Sequence, residues 1–327
     1  MILAGDIGGT KTLVALFEGN GGDLREVASE EFPSREHGSL EEIVERFRAG
    51  HPGRAIEVAC FAVAGAVLDG RVTATNLPWP ELSEAKLSAS LGGVRVKLLN
   101  DLQAAALGML GLPDSKRVAL NPDAEERPGN VAVIAAGTGL GEAFLVWDGE
   151  RHHAVACEGG HTGFAPRNEE EVALLAFLQR EYGRVSQERV VSGLGMGDLY
   201  RFVRSRIGEP EPPELADRLA REDPGRVVTE TALAAKDAAC VRTLELFCSL
   251  YGAEAGDLAL KTLAVGGVFV GGGIAPRILP VLRSGGFLEA FCDKGRFADM
   301  LSRIPIWLVT EPRAPLLGAA RRASELG

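Results

Sequence analysis

The sequence predicts an α/β protein built as two lobes with a cleft between them, and three observations carry that reading. At 327 residues the chain exceeds one ordinary core, since domains run at roughly 150 residues apiece. Short β-rich runs alternate with helical ones along its length. A strand, glycine-rich turn, strand pattern occurs twice, at residues 2–17 and 131–147, as two related lobes would each require.

The elements follow in order. Strands are expected at residues 2–4, 12–17, 56–63, 95–99, 131–135, 143–147 and 265–270, where β-branched and apolar residues cluster between turn formers. Helices are expected after Ser39, after Asp101, after Asn168, and from Thr229 to about Tyr251. The third has Glu169, Glu170 and Glu171 in its first turn, where the helix dipole favours acids. Residues 113–129, rich in Pro, Asp and Glu, mark the crossing between lobes, and 208–225 reads as a surface excursion.

Bulk properties exclude several classes. A net charge of −10 offers no basic footprint for a phosphate backbone, so nucleic acid is not an expected partner. Asp6 interrupts the first apolar run and no stretch of about 18 apolar residues exists, so neither secretion nor membrane insertion is expected. The five cysteines are scattered without a CxxC pair, which suggests reduced thiols in a cytoplasmic protein rather than disulfides or zinc.

The two glycine turns carry the first chemistry. Gly5, Asp6, Ile7, Gly8, Gly9 and Thr10 form one; Gly137, Thr138, Gly139, Leu140 and Gly141 form the other. A backbone closing on phosphate oxygens is expected to use positive φ and bare N–H groups, which glycine supplies. Ordinary hairpins also carry glycines, and that reading stays open for either turn alone. GxxxxGK[ST] is absent. A dinucleotide fingerprint fails at the second turn because the residues after it alternate like a strand, not a helix.

Polar residues supply the second. Asn100 and Asp101 end a strand where a helix begins, so Asp101 reads either as a helix cap or as a carboxylate at a ligand-binding sheet end. Glu158 and His161 in EGGH, with Glu188 in SQER, offer the acceptors and donors a polyhydroxylated ligand needs. His161 lacks paired cysteines or further histidines downstream that would make it a zinc ligand. Gly271, Gly272 and Gly273 form a glycine corner leading to a helix start near Pro276, open to a flat purine or simply a tight turn.

In order, the segments DIGGTKT, LNDLQAAALG, AAGTGLGEA, EGGHTGFAP, SQERVVSGLG and GGVFVGGGIAPR span nearly the whole chain. Together they resemble the bacterial-type ATP-dependent glucokinases of the actin-like ATPase (ribonuclease H-like) superfamily. The resemblance implies a small α/β lobe of residues 1–110 plus 308–327 and a large lobe of residues 111–307, with MgATP and sugar meeting in the cleft. It implies that Gly5 to Thr10 and Gly137 to Gly141 hold phosphates, that Asp6 organises Mg²⁺ through water, and that the corner from Gly271 to Gly273 faces adenosine. It makes Asn100, Asp101, Glu158, His161 and Glu188 the glucose contacts, with Asn76 a further one, and Asp101 the catalytic base. It also implies a homodimer, formed through the helix that begins near Thr229.

The related repressor, open reading frame and kinase group usually carries a CxCGxxGC zinc motif after EGGH; its absence here implies no zinc. A kinase for another hexose or amino sugar, or a non-catalytic sugar sensor, fits the same resemblance. Glu142 follows Gly141 directly and would repel phosphate if it pointed inward, so it is expected to face away.

Overall fold

The computed structural model describes residues 1–20 and 23–326; residue 327, at the end of the expected small lobe, lies outside them. The first sheet is built from β1 (Ile2–Ile7), β2 (Lys11–Glu18), β3 (Arg25–Pro33), β4 (Val58–Val63) and, after a short ribbon of β5 (Arg71–Val72) and β6 (Leu82–Ser83), β7 (Arg95–Asn100). Its order is β3-β2-β1-β4-β7, with the first pairs antiparallel and β1-β4-β7 parallel. The second sheet uses β8 (Arg117–Ala119), β9 (Val131–Ala136), β10 (Leu140–Trp147), β11 (His152–Cys157), β12 (Gly267–Gly271) and β13 (Ile306–Val309). Its order, β11-β10-β9-β12-β13-β8, repeats the same two antiparallel pairs followed by two parallel ones. The sequence repeat is therefore a topological one.

Helices cover these sheets in chain order. Helix α1 (Leu40–Gly50) is capped by Ser39, whose side chain accepts from the Glu42 N–H, and buries Leu40, Ile43, Val44 and Phe47 on one stripe. After α2 (Glu84–Ser90) comes α3 (Asp101–Leu110), so alanine-rich that the backbone of a partner helix can approach closely. That partner is the last helix. Between them stand α4 (Glu169–Tyr182), α5 (Gly193–Ile207), α6 (Pro213–Arg221), α7 (Pro224–Leu233), α8 (Ala238–Thr262), α9 (Leu279–Leu282), α10 (Gly286–Cys292), α11 (Ala298–Ser302) and finally α12 (Ala314–Ser324). A Cβ on Gly318 would sit 1.7 Å from the Ala104 carbonyl oxygen, and one on Gly108 2.0 Å from that of Ala314. Helices α3 and α12 thus meet backbone to backbone.

Three apolar clusters result. One packs β1, β2 and β4 against α1 and the loops around Trp79; a second packs the second sheet against α4, α5, α7, α8 and α10. The third, around α3 and α12, takes residues from both sheets and joins them.

Several expected elements differ. The single helix from Thr229 to Tyr251 is two, because Ala235 adopts φ +51 and Asp237 caps α8 through the Cys240 N–H at 2.8 Å. No Gly or Pro marks that break in the sequence. The 208–225 excursion contains α6, started by Pro213 at a first-turn position. Within 113–129, β8 pairs with β13, and the helix start placed near Pro276 falls at Leu279, after a run of turns. The boundary expected at 308 falls inside β13, whose Val309 still pairs with Arg117.

Candidate functional site

The first hairpin joins β1 to β2 and closes where the Gly8 N–H donates to the Lys11 carbonyl at 3.0 Å. Ser34 braces it: its hydroxyl donates to the Gly8 carbonyl at 2.7 Å, and its N–H to the Thr10 carbonyl at 3.0 Å. The second hairpin joins β9 to β10, with the Gly137 N–H donating to the Gly139 carbonyl at 2.8 Å. Its Gly137 carbonyl accepts from the Gly193 N–H at 2.8 Å, which ties the turn to the start of α5.

Positive φ is not what these glycines provide, contrary to expectation, for none of those at 5, 8, 9, 137, 139 and 141 adopts it. Space is. A Cβ on Gly9 would lie 2.6 Å from the Asn76 Cβ, and one on Gly139 2.3 Å from a Glu188 carboxylate oxygen. The glycine corner does need positive φ, since Gly272 sits at +83° with the Ala136 carbonyl 2.2 Å from where a Cβ would be.

At the end of β7, the helix cap is Asn100, not Asp101. The Asn100 Oδ1 accepts from the Leu102 and Gln103 N–H groups at 2.9 and 3.2 Å, and its Nδ2 donates to the Gly65 carbonyl at 3.1 Å. Asp101, first residue of α3, accepts only an additional bond from the Leu102 N–H at 2.9 Å, so its carboxylate is not consumed by capping. Burial raises the Asp101 pKa above the ordinary carboxylate value, and the charge of Glu158 raises it further. Asp6, on β1, is pushed up to about 6 by burial and by the charge of Asp101. The two aspartates, both at the carboxyl ends of parallel strands in the first lobe's sheet, therefore share one electrostatic environment.

Glu158, His161 and Glu188 stand in a row: the His161 ring nitrogens lie 4.0 Å from a Glu158 oxygen and 3.9 Å from a Glu188 oxygen. The other Glu188 oxygen accepts from the Leu140 N–H at 3.0 Å, so this residue bridges the second hairpin and His161. Asn76 is exposed and touches Gly9.

Glu142 lies against the Glu254 carboxyl of α8, beneath Gly159, and only 2% exposed. Its pKa is pushed up to about 8 by burial and by the charge of Glu254, whose own partner is Lys261 at 3.2 Å. A proton on Glu142 satisfies the otherwise unpartnered oxygens of both acids.

A cavity of about 590 Å³ opens beside the second hairpin. Gly137, Thr138 and Gly273 form one wall, which brings the hairpin and the glycine corner together. Thr229, Glu230 and Leu233 of α7 line it too, and the sequence reading gave none of them a place in the cavity, setting the helix that begins near Thr229 aside for a dimer contact. Ser34 was also missed; no motif distinguishes it from any other loop serine. Among the described residues, no three or more His, Cys, Asp or Glu side chains gather in a group that could hold a metal ion, and no helix is long and apolar enough to cross a membrane.

Comparison with known proteins identifies this arrangement. The model of the glucokinase family matches residues 3–326. The glucokinase of Trichormus variabilis is 39% identical over 342 residues, covering 100% of this chain and 99% of that relative. The crystal structure of a glucokinase from an Antarctic psychrotroph superposes with a TM-score of 0.87 at 31% identity, covering 99% of this chain and 98% of that one. A ROK family glucokinase from Streptomyces griseus, solved with glucose and AMPPNP, shares the fold at a TM-score of 0.64 and 22% identity, over 99% of each chain. The duplicated sheets, paired glycine hairpins and intervening acids define a sugar kinase of the actin-like ATPase fold. The chain belongs to the glucokinase family.

Proposed function

We propose that this protein transfers the γ-phosphoryl group of MgATP to the 6-hydroxyl of D-glucose, giving glucose 6-phosphate and ADP. The observation that carries the reading is the division of labour at the end of β7: Asn100 caps α3, which leaves the Asp101 carboxylate beside Asp6 and Glu158. Asp101 orients the sugar hydroxyl and takes its proton as the oxygen attacks phosphorus. Asn100, Glu158, His161 and Glu188 hold the other hydroxyls, and Asn76 borders the sugar next to Gly9. The two hairpin turns, Gly5 to Thr10 and Gly137 to Gly139, hold the phosphates through the N–H groups that their own hydrogen bonds leave free. The cavity lined by Gly273 and Leu233 suits a purine, whose faces favour apolar walls.

Asp6 fits a magnesium ion accompanying ATP, because a buried carboxylate crowded by another gains from a nearby cation, and Mg²⁺ takes one or two carboxylates plus phosphates and water. The cation supplies neutralisation of phosphate charge. The lobes we assign are residues 1–110 with the C-terminal segment, and the large lobe between, the return crossing placed after Val309 rather than at 308. A cytoplasmic homodimer is part of the same proposal and rests on the family resemblance; light scattering on the purified protein tests it.

The reaction is tested by ADP release with and without glucose, the product identified by mass. Glucose-dependent ADP and a hexose monophosphate are expected. Glucose binding without ADP release would establish a sugar sensor instead, and a faster rate with mannose, fructose or glucosamine would reassign the substrate.

A further inference from the structure

We infer that Tyr251, buried in the large lobe and outside the cavity, is a positioning residue that sets the spacing of the two nucleotide-binding turns. The inference rests on the proposed kinase reading. The Tyr251 hydroxyl accepts from the Ala136 N–H at 3.1 Å and lies 3.2 Å from both the Ile134 and Gly271 carbonyl oxygens. A phenol has one proton, which these two carbonyls share.

The place of this hydroxyl in the sheet gives it consequence. Strands β9 and β12 run in parallel register from Val131↔Gly267 to Ala135↔Gly271 and stop there. The next residue of β9, Ala136, leads directly into Gly137 and Thr138; the next after β12 is Gly272, which turns to positive φ. Where the ladder ends, Ala136 donates to the tyrosine, and Gly271 accepts from it. The hydroxyl therefore links the two strand ends where they part at their carboxyl ends, and open parallel sheets take their ligands at such partings. Gly137, Thr138 and Gly273, which continue from those ends, all line the cavity.

The ring is fixed as firmly as the hydroxyl. It packs edge-on to Phe247 at 5.8 Å and Phe287 at 5.7 Å, and none of it is exposed. Tyr251 belongs to α8, so the helix behind the sheet sets the turns in front of it. The glucose contacts Asn100, Asp101, Glu158 and His161 lie on other elements and take no bond from Tyr251. Loss of the hydroxyl is thus expected to act on the nucleotide and spare the sugar.

Steady-state kinetics on the full chain test this with Tyr251→Phe, and with Leu258→Ala as a control that opens a gap in the same buried helix without touching the hydroxyl. Tyr251→Phe is expected to raise KM for ATP by about tenfold while KM for glucose stays within about twofold, the mark of lost binding to one substrate. Leu258→Ala is expected to lower thermal stability and leave KM for ATP within about twofold. An unchanged KM for ATP in Tyr251→Phe, or an equal rise for both substrates, overturns the inference; a wild-type protein without glucose-dependent ADP release overturns the kinase reading instead. If Tyr251→Phe does not accumulate as folded protein, amide exchange of the wild type decides: an Ala136 N–H exchanging only on global unfolding supports the bond, and one exchanging as fast as the Thr138 N–H refutes it.

Discussion

Asp101 is useful because its neighbour relieves it of structural work. Asn100 makes the two cap bonds that a helix start demands, so replacing the Asp101 carboxylate by an amide removes the proposed base and little else. Asp101→Asn is expected to retain glucose affinity, by calorimetry, while kcat drops by roughly 10²- to 10⁴-fold. Near-normal turnover would move the base elsewhere. The Glu142–Glu254 pair makes a different prediction. Folded Glu142 holds its proton up to about pH 8, whereas the unfolded chain releases it near the ordinary carboxylate value of 4.5. Raising the pH between those values takes protons from the unfolded state first, so stability falls as pH rises, by at most about 1.4 kcal/mol per unit for one proton. Asp6, pushed up to about 6, acts in the same sense over a lower range. Glu142→Gln keeps a donor for the charged Glu254 yet cannot titrate, so its melting temperature should vary less than the wild type's between pH 6.5 and 8. An identical slope would show that another group dominates.

Among elements, the α3–α12 crossing is the most demanding. With the Ala104 carbonyl oxygen 1.7 Å from the place of a Gly318 Cβ, even one methyl forces two helices apart. Overpacking of a tight contact costs typically 1–3 kcal/mol and occasionally more, and here the obstacle is backbone, which cannot swing aside. Gly318→Ala is expected to lower unfolding stability by about 3 kcal/mol, read from the denaturant midpoint; a loss under about 1 kcal/mol would mean that the helices slide freely. This crossing also shows where sequence reading stops. LNDLQAAALG announced α3 by its cap and its alanines, and the family resemblance returned residues 308–327 to the first lobe, yet nothing local says that Gly108 and Gly318 need each other. The α7–α8 break was equally hidden, since Ala235 takes a left-handed conformation that alanine rarely signals. The glycine hairpins were legible as turns, but the reason for their glycines was long-range: room for Asn76 and Glu188, from segments 67 and 49 residues away.

On the scale of the molecule, the alternation of strands and helices and the repeated hairpin were enough to foresee two related sheets, and the order of six motifs was enough to name the family. Edge strands β3, β8 and β11 escaped notice because each is short, or charged, or only half-buried, so hydrophobic alternation is weak there. The wall that α7 adds to the cavity escaped because it carries no motif at all. What binds the parts is the last helix, which lies on β1, β4 and α3 at once. A chain leaving the ribosome finishes the five strands of its first sheet by Asn100, but the helix that shelters one flank of that sheet begins only at Ala314. At synthesis rates of about 5–20 residues per second, that flank stays bare for on the order of ten to forty seconds. Throughout that interval the nascent polypeptide presents a greasy, uncovered surface, so its safe birth depends on what shields it until translation ends.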